Sequence, residues 1–485
     1  MLERKRKLHI DRSFRLPAFL GMAMEPRVLT SSYYDTSEYL LAQYGISLRR
    51  RIERGRGVWQ LTIPQGQDHV ELEAAGGPGK LPATFMDLLF GVRRNQPLQL
   101  IAKLKTKRQT FRIHREQTPL ADISIDQATT IQDGRRVGGF LELEVKLLSG
   151  ADRDLDGITE TLISAGARTK AFRPQLCQAL GLPYPREPQP IDQASPPAEQ
   201  LRRMLSNHVL HMLKNDPATR LGQDPEPLHQ MRVATRRFRA QLQAVRTVLD
   251  ADWVQSVRAR VRWLGCLLGQ VRDFDVMLAT LREELEQLPE SEQQASVHLL
   301  AQLEQDRAQA HDQLLDGLRS EDYLRLLDEM DTVFHGLPLR EEPISFHTLA
   351  AQAFLKLRKA MKALPPHPSD TDWHRIRIRT KKARYIAELA APTAGPGVSR
   401  FLTRAKKLQD LLGAYQDSVV IEQYLRRLSK NTRRFPVVFV LGQLVARFQM
   451  RRVELSQMVP SCWAKLKRCG KRVWLTALPT LTLVG

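Results

Sequence analysis

The feature that most limits what this chain can fold into is a segment written twice. HQMRVATRRFR (His229–Arg239) returns as HRIRIRTKKAR (His374–Arg384). His229 matches His374, Arg232 matches Arg377, Arg236 and Arg237 match Lys381 and Lys382, and Arg239 matches Arg384, each pair 145 positions apart. Upstream, VLHMLKN parallels FLKLRKA, with Lys214 opposite Lys359. Downstream, RVRWLGCLLGQVRDFDV parallels RAKKLQDLLGAYQDSVV at an offset of 144. There Arg260 meets Arg404, Arg262 meets Lys406, Gly269 meets Gly413 and Asp273 meets Asp417. Agreement through three consecutive helical segments predicts an internal repeat, two helical bundles related by a pseudo-twofold axis.

On a helix at 100° per residue, His229, Arg232, Arg236 and Arg239 fall within an arc of about 80°, with Arg237 beside it. Met231, Phe238, Leu242 and Val245 fall opposite, as a core-facing stripe. The polar face is cationic throughout. A solvated face mixes signs, because like charges one turn apart repel by a few tenths of a kcal/mol per pair. Tolerating that twice, in register, points to a polyanion that relieves it. Arginine suits the task, since its fork binds phosphate oxygens in pairs and keeps its charge. The rise from Arg232 to Arg239 is roughly 10 Å, so one helix spans several phosphates. His229 and His374 come with no nucleophile or paired carboxylate, which favours binding over catalysis. Asp273, Asp275 and Asp417 are read as carboxylates that cap a helix or orient neighbouring arginines, not as a metal site.

Charge balance agrees. The 485 residues, enough for two or three domains, carry 74 Lys and Arg against 53 acidic residues, a net charge of +21. That balance suggests nucleic acid, polyphosphate, phosphorylated metabolites or anionic lipid as partner. Cys177, Cys266, Cys462 and Cys469 share no CxxC spacing, so neither zinc nor a disulfide framework is expected, and a reducing cytoplasm is the default. MLERKRKLHI begins with charge rather than with an apolar signal segment. FPVVFVLGQLV and VWLTALPTLTLVG fall short of the roughly 20 residues that span a bilayer. The reading is a soluble cytoplasmic protein with no membrane partner.

Before about residue 180 the pattern has period two, as in VWQLTI, HVELEA, TFRIH, ADISID and FLELEVKL. YPREPQPIDQASPP (Tyr184–Pro197) then brings five prolines and no periodicity, the mark of a linker. Beyond it, apolar residues recur three and four apart. The expected fold class is multidomain α+β: an N-terminal antiparallel β-barrel over residues 1–183, a Pro-rich linker over 184–197, and an all-α region over 198–485. That region divides into repeats at about 198–335 and 345–485. Period two also places Lys5 and Lys7 with Glu3, Arg49 with Arg51, and Glu142 with Glu144 on common strand faces. Such faces either line a wet cavity inside a barrel or form an exposed sheet surface with cross-strand ion pairs.

EPLHQMRVATRRFR, LLGQVRDFDV, HRIRIRTKKARY and LQDLLGAYQD, in order between Leu201 and Leu428, resemble the CHAD domain, a duplicated helical module that binds inorganic polyphosphate. The resemblance implies that His229, Arg232, Arg236, Arg237, Arg239, His374, Arg377, Lys381, Lys382 and Arg384 line a polyphosphate channel. The flanking cations Lys214, Lys359, Arg260, Arg262, Arg404 and Lys406 are assigned to the same channel. SSYYDTSEYLLAQYGISLRRRIERGRGVWQLTI, KTKRQTFRI and FLELEVKLLSG resemble the CYTH, or triphosphate tunnel, domain. That family hydrolyses triphosphate compounds with Mg²⁺ or Mn²⁺ inside an antiparallel barrel. The resemblance implies triphosphate contacts from Lys7, Arg49, Arg51, Arg108, Arg112 and Lys170, and metal ligation by Glu3, Glu142 and Glu144. This chain departs from the family's ExExK hallmark, with Lys5 where the second glutamate belongs, and it has Pro64 where the family has a lysine. A lysine among metal ligands both removes a donor and repels the ion, by about 4 kcal/mol per unit of ionic charge at roughly 4 Å and an effective dielectric of 20.

The leading reading is therefore a polyphosphate-binding protein with a barrel weak or inactive in hydrolysis, sited near cytoplasmic polyphosphate granules. The alternative is a metal-dependent triphosphatase tethered to polymer by its helical domain. Non-specific nucleic-acid binding is a third class. Against it, the ladders lack interleaved aromatics for stacking on bases, and aromatic content is 6%.

Overall fold

The computed structural model describes residues 5–17, 21–65, 68–132, 134–169, 175–183, 186–340, 343–392, 395–432 and 434–475. Glu3 and Lys170 lie outside the described residues. The chain divides into two compact units, one of Met1–Pro188 with Leu213–Pro227 and one of Gln189–Met212 with Leu228–Gly485.

In the first unit the alternating segments become strands: β1 (Lys5–His9), β2 (Met22–Ala23), β3 (Arg27–Asp35), β4 (Ser47–Glu53), β5 (Arg56–Gln65), β6 (Asp68–Ala75), β7 (Gln99–Arg115), β8 (Thr118–Gln132), β9 (Arg135–Leu147) and β10 (Arg168–Thr169). Short helices α1 (Leu40–Gln43), α2 (Ala83–Leu88) and α3 (Phe90–Arg93) interrupt them, and α4 (Asp152–Ser164) and α5 (Gln175–Leu180) follow. The strands form one antiparallel sheet in the order β10-β1-β9-β8-β7-β3-β4-β5-β6, with β2 beside β7. Period two does the sorting. Leu143 and Val145 of β9 enter an apolar core with Leu8, Ile123 and the α4 residues Leu155 and Leu162. The intervening Glu142, Glu144 and Lys146 take the other face. The sheet curls until Lys5 of β1 meets Glu71 of β6 at 2.7 Å. Among the described residues no backbone ladder joins those two strands. The barrel expected from the sequence is thus an open curled sheet among the described residues, with the Lys5–Glu71 ion pair reaching between β1 and β6.

The second unit is helical. α6 (Pro197–Leu221), whose residues divide between the two units, is followed by α7 (Pro225–Ala244), α8 (Ala251–Leu285), α9 (Glu290–Leu318), α10 (Glu321–His335), α11 (Phe346–Lys362), α12 (Asp370–Ala390), α13 (Pro396–Asn431) and α14 (Phe435–Trp474). The repeat is written in the helix starts. Pro225 and Asp370, Ala251 and Pro396, and Glu290 and Phe435 each stand 145 residues apart. α14 is the continuous counterpart of α9 and α10. Caps fix several of these starts: Asp250 accepts from the Trp253 N–H at 2.9 Å, and Ser369 with Asp372 forms a capping box at α12. One core is shared by both repeats. Met277, Leu281 and Leu285 of α8 and Leu303 of α9 pack with Ile421 and Leu425 of α13 and Leu444 and Phe448 of α14. The two ladder helices also meet, with Gln241 of α7 donating to the Tyr385 carbonyl of α12 at 3.4 Å. No helix among the described residues is long and apolar enough to cross a membrane.

Candidate functional site

Where α7 and α12 meet, cations gather from both repeats. Arg232 and Arg236 of α7 stand within electrostatic reach of Arg377 and Lys381 of α12. The Nε atoms of Arg232, Arg236 and Arg377 are buried without a hydrogen-bond partner, unusual for donors of this strength. Two carboxylates sit among them. Asp273 of α8 lies 3.3 Å from Arg232, and its counterpart Asp417 of α13 faces Arg377. They orient the arginines, as expected, and do not neutralise the group. Burial, then the neighbouring Arg377, Arg236 and Arg232, bring the Lys381 ammonium down to about 7. Burial likewise lowers Arg232 and Arg377, against the pull of Asp273 and Asp417.

The other ladder positions part ways. His229 stands half-buried one turn before Arg232, and the His374 Nδ1 lies 2.8 Å from the Gln416 side-chain oxygen. Arg237 and Arg384 share Glu388, at 3.1 and 3.4 Å, and so lie on a joint between the repeats. Glu388 is well covered, and replacing it with alanine leaves two cations facing each other. We expect Glu388→Ala to cost about 3 kcal/mol of stability, read as a lower melting temperature with polyanion binding retained. Arg239 is exposed beside Arg262 and Arg258. Lys382 faces Lys356, Arg379, Arg246 and Arg258 instead of Lys381's group. Arg260 is taken up by Glu329 at 2.8 Å. Lys359, Arg404 and Lys406 are exposed, and Lys214 falls in the first unit, 3.9 Å from Glu187.

The first unit's sheet curls around a cavity of about 410 Å³ whose wall carries Lys5, Lys7, Arg49, Arg51, Arg108 and Glu144, all singled out by the sequence, together with His69, Glu71, Glu73 and Lys146, which were not. The period-two run HVELEA held the signal, because it places His69, Glu71 and Glu73 on one face. Of the two readings of the charged strand faces, this is the wet cavity, and the charges within it are paired. Lys7 meets Glu142 at 3.0 Å, Arg108 is held by both Asp126 oxygens at 2.7 Å, and Arg51 lies 3.8 Å from Glu73. Arg49 donates to Gln60, Tyr33 and Gln175 at 2.8, 3.1 and 2.9 Å. Arg112 is bound by Asp122 at 2.8 and 2.9 Å, and is not part of the cavity wall. Burial opposes ionisation of Glu71, but Lys5 and Arg49 still hold its carboxyl down to about 2.

These residues do not fit a divalent metal. Glu142 accepts from Lys7 and from Gln175 at 2.7 Å, Glu144 lies 3.8 Å from Arg108, and Glu71 is bound to Lys5. Among the described residues, which leave out Glu3, no three His, Cys, Asp or Glu side chains are grouped so that they could hold one ion. Mg²⁺ is therefore expected to leave the melting temperature unchanged. Lys5→Glu should lower it in chelator, through repulsion with Glu71, and make it rise on Mg²⁺ addition. A stabilising Mg²⁺ shift in the unmodified protein would contradict this.

Compared with known proteins, residues 1–165 match the CYTH domain and residues 203–426 the CHAD domain. The uncharacterized Mycobacterium tuberculosis proteins Rv2226 (strain ATCC 25618 / H37Rv) and MT2285 (strain CDC 1551 / Oshkosh) are each 31% identical over 495 residues, covering 89% of this chain and 90% of theirs. Among solved structures, the CHAD domain from the plant Ricinus communis matches at 25% identity and TM-score 0.47, over 59% of this chain and 96% of that one. PptA from Streptomyces chartreusis matches at 21% and 0.49, over 56% and 100%. HpAC1 from Hippeastrum, a putative adenylyl cyclase described as having a dominant triphosphatase activity, matches at 14% and 0.26, over 38% and 98%. With its two domain matches in this order and relatives aligned along nearly their whole length, this chain belongs to the family in which a CYTH domain is followed by a CHAD domain.

Proposed function

We propose that this protein binds inorganic polyphosphate, with the polymer lying on the cation cluster that α7 and α12 build together. The observation that carries the reading is the group Arg232, Arg236, Arg377 and Lys381. It gathers like charges from two repeats, buries three arginine Nε donors without partners, and among the described residues sets Asp273 and Asp417 against them. A packed protein keeps such an arrangement at a cost, and an anion with many closely spaced oxygens removes that cost. Phosphate spaced along a flexible chain fits a helix face better than phosphate on a stiff duplex, and the cluster offers no aromatic surface for bases. The first unit's cavity is read as a place for short phosphate chains that are held without being cut, and the protein as cytoplasmic and close to polyphosphate stores.

The test is retention of long-chain polyphosphate by the full protein across a salt series. The reading expects log affinity to fall linearly with log salt, with a slope of several released ions. Absence of retention at low salt would end it. Hydrolysis, the other reading, is examined by phosphate release from tripolyphosphate with Mg²⁺ or Mn²⁺. Release that disappears in Glu142→Gln would make the first unit a triphosphatase, against the donor set described above.

A further inference from the structure

Beyond the ladder cluster, a second group of cations gathers on one flank of the helical unit. Arg246, in the turn that follows α7, joins Lys356 of α11 and Arg379 and Lys382 of α12 around a small cavity of about 70 Å³. Arg258 of α8 lies within electrostatic reach of Lys382 on one side and of Arg239 on the other. Arg239 in turn is coupled to Arg262 and back to Arg236 of the ladder cluster. Arg258 is thus a common neighbour of the Lys382 cavity and of Arg239 on the ladder helix α7.

Three observations mark this as a surface made for an anion. None of Arg239, Arg246, Arg258, Lys356, Arg379 and Lys382 has a carboxylate in salt-bridge distance among the described residues, whereas most arginines elsewhere in the unit do. The Arg258 Nε is buried with no hydrogen-bond partner. The cavity presents several cations to one small space, where they repel each other in the free protein.

This group also breaks the repeat. The positions 145 residues from Arg246, Lys356 and Arg379 are Ala391, His211 and Ala234. On the opposite flank, Arg384 is paired with Glu388. Comparing the two ladders could not have found Arg246, Lys356 and Arg379, because none of them has a Lys or Arg counterpart.

We propose that Arg246, Arg258, Lys356 and Arg379 form a second polyphosphate-binding segment, so that a long polymer leaves the ladder cluster along this flank and not the other. A short chain fills the cluster alone, whereas a long chain engages both segments. The inference rests on the polyphosphate reading above, and the experiment separates the two. Tripolyphosphate and long-chain polyphosphate are titrated into the full protein, unmodified and as Arg258→Ala/Lys356→Ala/Arg379→Ala. Long-chain affinity should fall about tenfold and its log–log salt slope by about 2, with short-chain affinity unchanged within about twofold. Because Arg258 is partly buried, Arg246→Glu/Lys356→Glu, at two exposed positions, repeats the test without risk to the fold and should give at least the same selective loss. Equal losses for both lengths, no loss with the long chain, or a loss confined to duplex DNA run as a control would each overturn the second segment. Failure of the unmodified protein to bind either length would instead remove the polyphosphate reading on which it stands.

Discussion

Arg232→Ala combined with Arg377→Ala should weaken long-chain polyphosphate binding by about a hundredfold or more, at two charge-assisted hydrogen bonds of about 1.5–3 kcal/mol each. The reason lies in where these side chains stand. Each comes from the same place in its own repeat, each is guided by a carboxylate, Asp273 or Asp417, and each buries an Nε with no partner. Removing both empties the middle of the cluster and leaves the two carboxylates facing the polymer. Arg404→Ala combined with Lys406→Ala removes the same formal charge from exposed positions and should cost only a few-fold. Titration calorimetry on the two double variants, with melting temperatures as a folding check, decides the matter. Equal losses would mean that a diffuse positive surface, and not a built site, holds the polymer.

The second large effect is one of pH. In the free protein the Lys381 ammonium titrates at about 7 against an ordinary 10.5, because of burial and of Arg377 on its own helix and Arg236 and Arg232 opposite, with Asp417 pulling the other way. The folded state therefore binds fewer protons here than the unfolded chain between those values. This group's penalty on folding is complete below pH 7 and is relieved as pH rises toward 10.5. A bound phosphate chain reverses the balance by supplying the missing negative charge, so binding takes up a proton. Affinity should rise about tenfold per pH unit as pH falls from 9 to 7 and level off below. In Lys381→Met that dependence should largely vanish. Calorimetry in buffers of different ionisation enthalpy would show close to one proton taken up at pH 8, and none in the variant. Proton uptake that persists in Lys381→Met would assign the effect to another group.

The sequence and the structure meet most closely where the chain repeats itself. Two copies of one ladder carry the same helix boundaries, so Pro225 with Asp370 and Ala251 with Pro396 could be paired on paper, and the strands of the first unit announced themselves by alternation. Single-copy features resisted. Glu388 has Gln243 at its repeat position, so nothing in the template showed that Arg237 and Arg384 would be spent on a joint between the repeats. Lys381 and Lys382 are neighbours in sequence but about 100° apart on the helix, which sends them into different clusters. The Lys5–Glu71 pair joins side chains 66 residues apart, on two strands that share no backbone ladder among the described residues. Whether a lysine in that place opposes a metal or holds a seam depends on the curl of the whole sheet, which no local pattern encodes.

The most direct measurement is a calorimetric titration of the full protein with long-chain polyphosphate and with duplex DNA, at equal phosphate and the same salt. The polyphosphate site predicts saturable binding of the polymer, at least about tenfold tighter than DNA and lost in the Arg232→Ala/Arg377→Ala protein. Equal affinity for the two polyanions, or polymer binding untouched by the double variant, would contradict it.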